Sequence, residues 1–147
     1  MKIEDAIQSK FRSPFAKAVV NVRYTSNFLS GTQHNFMSQY GLTMPQFNIL
    51  RILRGAGEMV SVNTIKERMV EKSPNTTRLL DKLIEKELIS RERCEKDRRV
   101  VYVKITDKGL DLLHQIDVQG NFDKLLPNHL TDEECELLSD LLDKLRG

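Results

Sequence analysis

Apolar positions along this chain change their spacing from element to element. From Pro14 to about Tyr40, the positions Phe15, Val19, Val22, Ser26 and Leu29 recur at alternating steps of four and three, which is one stripe of a long helix. Gly41 stops it. Thr43-Met44-Pro45-Gln46 starts the next helix: Thr43 can cap, Pro45 is tolerated in the first turn, and Gln46 completes a capping box. Phe47, Leu50, Ile52 and Leu53 supply its buried side, and Gly55-Ala56-Gly57 ends it. Met59-Val60 is expected to form a short strand before Ser61, which can cap a helix running to about Val70 with Val62, Ile65 and Met69 on one face. Ser73-Pro74 then places a cap before a proline at the first helical position. The helix it opens runs to about Lys86 and turns Leu79, Leu80, Leu83 and Ile84 inward. Two short helices meeting at Glu71-Lys72 make a helix-turn-helix.

From Leu88 the period becomes two. Ile89, Arg91 and Arg93 alternate with Ser90, Glu92 and Cys94, and Val101, Val103 and Ile105 alternate with Val100, Tyr102 and Lys104. The polar run Glu95-Lys96-Asp97-Arg98 joins them, so the pattern predicts a hairpin with a basic tip, a wing. Thr106 can cap a helix from Asp107 toward Leu126, where Pro127 ends it, with Leu110, Leu113 and Ile116 on its apolar side. Thr131-Asp132-Glu133-Glu134 is a second capping box, with Leu130 and Cys135 placed as a hydrophobic staple. Leu138, Leu141, Leu142 and Leu145 follow as a narrow seam, the kind that meets another helix. The fold class is mainly α with a small β-hairpin wing.

Charge sharpens this picture. Residues 66–108 hold thirteen Lys/Arg against nine Asp/Glu, whereas residues 109–147 hold three against nine. A basic middle and an acidic tail suit a nucleic-acid reader with a separate assembly segment. At 147 residues the chain is one domain's worth, and 30% charged with 39% apolar residues argues against disorder. No apolar run approaches the ~18 residues that cross a bilayer, and Met1-Lys2-Ile3-Glu4-Asp5 lacks the apolar core of a leader, so a cytoplasmic protein with no membrane partner is expected.

Three segments together carry a family resemblance: Thr77-Arg78-Leu79-Leu80-Asp81-Lys82-Leu83, then Asp97-Arg98-Arg99, then Ile105-Thr106-Asp107-Lys108-Gly109. With the Gly41-Leu42-Thr43-x-x-Gln46-Phe47 entry, the chain resembles the MarR family of winged helix-turn-helix regulators over nearly its whole length. The resemblance implies a single domain, with a DNA-binding lobe at about 42–106 and dimerisation helices at about 1–41 and 107–147. It implies a homodimeric, ligand-responsive repressor that reads a pseudo-palindromic site in double-stranded DNA. The chain departs from the family at Lys86-Glu87-Leu88, where a glycine usually occupies the middle position. A left-handed cap at Glu87 costs about 1 kcal/mol relative to glycine, so the helix is expected to end in another conformation.

The DNA-facing set follows from the chemistry of base edges. Ser73, Asn75, Thr76, Thr77 and Arg78 occupy the first turns of the recognition helix, where Asn can pair with adenine, Arg with guanine, and Thr can touch a thymine methyl. Arg78 is also suited to a phosphate, and Asn75 and Thr76 to a solvated helix start. Lys72 and Lys82 can hold phosphates or stand as solvated charges. Ser61, Asn63 and Thr64 are placed for the DNA backbone, with capping as the other role of Ser61. In the wing, Lys96, Arg98 and Arg99 can approach a narrow minor groove. Asp97 is there either to hold a neighbouring arginine or to shape a tight turn.

Other classes find less support. His34, His114 and His129 are scattered, and no nucleophile, base and orienting group occur together, so neither an enzyme nor a metal site is expected. Cys94 and Cys135 form no CxxC pair. Cys94 is read as a packing residue, with a redox sensor as the alternative. A protein-binding winged helix is the third class, distinguished by the absence of salt-dependent DNA affinity. The resemblance implies no cofactor but allows a small anionic or aromatic effector between the dimer helices and the lobe, near Arg23, Tyr24, His34 and Tyr40.

Overall fold

The computed structural model of the protein describes residues 1–120, 126 and 129–147. Helices α1 (Ile3–Ile7), α2 (Pro14–Ser38) and α3 (Met44–Ala56) come first, followed by strand β1 (Val60–Ser61) and helices α4 (Val62–Arg68) and α5 (Thr76–Glu85). Strands β2 (Ile89–Arg93) and β3 (Val101–Ile105), then helices α6 (Asp107–Gln119) and α7 (Asp132–Arg146), complete the described elements. The strands form one antiparallel sheet in the order β1-β3-β2. Val60 faces Val103, and Ile89, Arg91 and Arg93 face Ile105, Val103 and Val101. The wing is thus a hairpin whose base is widened by β1.

Local chemistry sets most of the boundaries. Ser13 accepts the Ala16 N–H ahead of α2. Thr43 and Gln46 exchange both bonds of a capping box at α3, which Gly57 ends at φ 66°. Thr131 and Glu134 do the same at α7. Met37, Ile49, Leu50, Leu53, Ile65, Leu83, Val103, Leu113 and Ile116 form the centre of one core. That core lies within the helix-turn-helix and sheet, closed by the C-terminal end of α2 and by α6. Arg54 pairs with Asp117 at 2.6 Å, tying α3 to α6.

Several expectations need correction. Helix α1 has no apolar stripe long enough to be read from sequence; it buries Ile3 and is held by an ion pair from Glu4 to Lys17 on α2. Strand β1 lies one residue later than Met59-Val60, and α4 stops at Arg68. Leu110 is exposed, unlike Leu113 and Ile116. Helix α6 ends at Gln119, and the expected continuation through 121–125 and the stop at Pro127 lie outside the described residues. Helix α5 starts at Thr76 and not after Ser73-Pro74. The reason is local: the Ser73 hydroxyl accepts the Asn75 N–H, and Thr76 Oγ1 donates back to the Ser73 carbonyl, so these residues form a closed turn before the helix begins.

Glu87 is the clearest correction. Its φ is 60°, so the left-handed cap is retained without glycine. The Leu88 N–H reaches the Leu83 carbonyl at 3.0 Å and the Glu87 N–H reaches Ile84 at 2.9 Å, the paired bonds of a Schellman motif. Leu83 and Leu88 are buried, and Thr106 donates its hydroxyl to the Glu87 carbonyl and its N–H to the Leu88 carbonyl. Four hydrogen bonds and a buried leucine pair outweigh the strain of one residue. Glu87→Gly should therefore raise stability by about 1 kcal/mol, since it relieves the strain and loses only an exposed contact to Lys108. Urea titration with an unchanged m-value is the check, and an unchanged midpoint would contradict the strain assignment.

Candidate nucleic-acid interface

Three elements converge on a cleft of ≈ 250 Å³. Asn63 and Lys66 reach it from α4, Thr77 and Asp81 from α5, and Arg91 and Arg99 from the wing. Three cations against one carboxylate leave this concavity positive. Thr77 and Asp81 are one helical turn apart on α5, which places both on the same face. Asp81 lies 3.7 Å from Arg91 across the cleft, with both side chains about half exposed, so the pair links recognition helix to wing more than it stabilises either. Lys66 and Asp81 join the cleft although neither belongs to the set that the sequence pattern marks for DNA. Their signal is spacing, with Asp81 four residues after Thr77.

Asn75, just before α5, and Thr77, Arg78 and Lys82 on it are exposed. Asn75 sits at the cap position yet makes no side-chain capping bond, so its amide is not consumed by the helix. Arg78 and Lys82 are again one turn apart, on a face adjacent to Thr77 and Asp81. Thr76 is different. Only 1% exposed, it directs its hydroxyl to the Ser73 carbonyl and the Met69 sulfur, so the expectation that it presents itself to a base edge is overturned. Ser73 is half-buried and engaged with the Asn75 N–H.

At the start of α4 the hydroxyls of Ser61 and Thr64 bond each other at 2.9 Å, and Ser61 accepts the Thr64 N–H at 3.1 Å. Asn63 between them is exposed. In the wing tip, Asp97 Oδ1 accepts from the Arg99 N–H at 3.0 Å and from Arg99 Nε at 3.2 Å. One carboxylate oxygen therefore both closes the turn and orients the arginine, so the two roles weighed for Asp97 are the same contact. The Arg99 side chain is 92% exposed. Lys96 and Arg98 are exposed on the same loop, and Arg98 shares a shallow hollow with Arg93, half-buried Cys94 and Glu95.

The residues expected near an effector do not gather. Arg23 and His34 on α2 are about 16 Å apart along the helix axis. Arg23, Tyr24 and His34 are exposed. Tyr40 instead packs edge-on against Phe36 and donates its hydroxyl to Gln119 at 2.9 Å, fixing the end of α2 against α6. Among the described residues no group of three His, Cys, Asp or Glu could hold a metal ion, and no helix is long and apolar enough to cross a membrane.

A helix-turn-helix that offers a polar recognition helix, flanked by a hairpin with an exposed arginine, defines a winged-helix transcriptional regulator. Residues 32–116 match the family model described as transcriptional regulator SarA/Rot. The HTH-type transcriptional regulator MhqR of Bacillus subtilis is 31% identical over 109 residues, covering 73% of this chain and 74% of MhqR. The structure of a MarR transcription factor from Planctomyces limnophilus superposes with TM-score 0.69 at 31% identity, over 91% of this chain and 98% of that one. A mutant MarR from E. coli, solved with operator DNA, shares the fold with TM-score 0.78 at 24% identity, over 93% of this chain and 99% of that one. The chain belongs to the MarR family of winged-helix transcriptional regulators.

Proposed function

We propose that the protein is a sequence-specific repressor that binds a pseudo-palindromic site in double-stranded DNA as a homodimer and releases it on binding a small anionic or aromatic effector. The observation that carries this reading is the positive cleft onto which α4, α5 and the wing all open. In this reading Asn75, Thr77 and Arg78 enter the major groove. Asn63, Lys66 and Lys82 meet phosphates, and Arg99, set by Asp97, enters the flanking minor groove with Lys96 and Arg98 beside it. That a MarR of the same fold was solved with operator DNA supports double-stranded DNA as the partner.

Dimerisation is supported by what the single chain leaves uncovered. Phe15, Val22 and Phe28 on α2 and Leu137, Leu138, Leu141 and Leu145 on α7 are exposed, and α7 buries none of its residues. Apolar faces of this extent on two terminal helices call for a partner, and a second copy supplies both at once. Residues 42–106 then form the reading lobe and the flanking helices the dimer body.

The two basic elements should fail differently. Arg78→Ala is expected to cost ~1–3 kcal/mol on the specific site and to relax preference at one position of each half-site. Arg99→Ala should weaken binding while leaving that consensus intact, reducing preference only for flanking A·T pairs. Affinities of each variant for a panel of single-base duplex variants at one salt concentration test this. If Arg78→Ala weakens all duplexes by one factor, Arg78 holds a phosphate, and base readout passes to Asn75 or Thr77.

A further inference from the structure

The turn between α4 and α5 sets the angle at which the recognition helix is offered, and it is held by an exchange of hydrogen-bond partners. At the end of α4 the Met69 N–H still reaches the Ile65 carbonyl. The next donor in the ladder, the Val70 N–H, would ordinarily reach the Lys66 carbonyl. It does not. Asn48 Oδ1, from α3, accepts the Val70 N–H at 2.9 Å. The Lys66 carbonyl takes the Lys72 ammonium instead, at 3.1 Å, and the same ammonium reaches the Glu67 carbonyl at 2.5 Å. A cation on the final carbonyls is also favoured by the helix dipole. Beyond it, Thr76 pins the turn to Ser73 and Met69.

We infer that Lys72 and Asn48 act together as positioning residues that end α4 and hold the α4–α5 turn, and that Lys72 is not a phosphate contact. Asn48 removes the donor that would extend α4, and Lys72 supplies the replacement that lets it stop. Neither residue belongs to the cleft. Their effect on DNA rests on the reading proposed above, because it acts through the pose of α5.

The test uses Lys72→Met, which keeps the aliphatic stem without the donors, together with Lys72→Arg and Asn48→Ala, in the full-length protein. Lys72→Met should weaken the specific site by about tenfold, the scale of a charged hydrogen bond. It should leave the slope of log affinity against log salt unchanged, and Lys72→Arg should restore affinity. In the protein without DNA, the Val70 amide should exchange faster in Lys72→Met and in Asn48→Ala, and the double variant should exchange no faster than the worse single one. A slope reduced by about 0.9 per subunit in Lys72→Met would make Lys72 a phosphate contact and overturn the inference. Unchanged Val70 exchange in either single variant would overturn it as well. Should the wild-type protein bind no duplex, the DNA reading fails, while exchange at Val70 still decides whether Lys72 and Asn48 hold the turn.

Discussion

Gly109→Ala should destabilise the protein by about 3 kcal/mol, at the upper end of what overpacking a core usually costs. A Cβ at this position would lie 2.4 Å from the Leu88 carbonyl oxygen and 2.7 Å from Ile105 Cγ1. The carbonyl cannot retreat. It accepts the Thr106 N–H at 3.0 Å, while the Leu88 N–H is committed to Leu83 and the Leu88 side chain is buried. Alanine is worth about 1 kcal/mol more than glycine inside a helix, which offsets only part of the clash. Because Thr106 and Leu88 join the end of α5 to the base of the wing, the strain should fall on the elements proposed to read DNA. Denaturant unfolding measures the loss. Gly55→Ala serves as control, since nothing lies within 4 Å of its added Cβ. Equal midpoints for wild type and Gly109→Ala would show that α6 can shift away from Leu88.

Leu138→Asp combined with Leu141→Asp should separate the proposed dimer and reduce affinity for its DNA site by about 10²–10⁴, the gain that joining two reading heads provides. Both leucines are about half exposed in the single chain, at 47% and 55%, so the substitution removes little that the folded protomer itself needs. Two carboxylates brought against a partner's leucines lose their hydration without a compensating cation. Sedimentation equilibrium should show a monomer, circular dichroism should retain the helical signal, and binding to a half-site should persist weakly. A variant that remains a stable dimer would place the interface elsewhere than α7.

What could be read from sequence was local. The Thr43–Gln46 and Thr131–Glu134 capping boxes, the helical stripe of α3 and the period-two runs of the hairpin each depend on residues within a turn of one another, and all stand in the structure. What escaped was set by contacts distant in sequence. Nothing near Glu87 announces that Thr106, nineteen residues on, will anchor its carbonyl and make a left-handed glutamate tolerable. Lys72 reads from sequence as a candidate phosphate ligand, and only the fold brings its ammonium to the Lys66 and Glu67 carbonyls beside the Asn48 bond from α3. Thr76 is equally instructive: its neighbours Asn75 and Thr77 are exposed, but the late start of α5 turns it onto Met69. The chemistry of the proposed DNA-facing set was thus legible, while which of its side chains are exposed needed the fold.

Selection of bound duplexes from a random pool, using the full-length protein, decides whether two copies of this chain read a symmetric sequence in double-stranded DNA. An inverted repeat should be enriched, with half-sites about 34–36 Å apart, one helical turn, each carrying a position that Arg78 specifies. A pool that returns no enriched sequence, or a single asymmetric one, would contradict that reading.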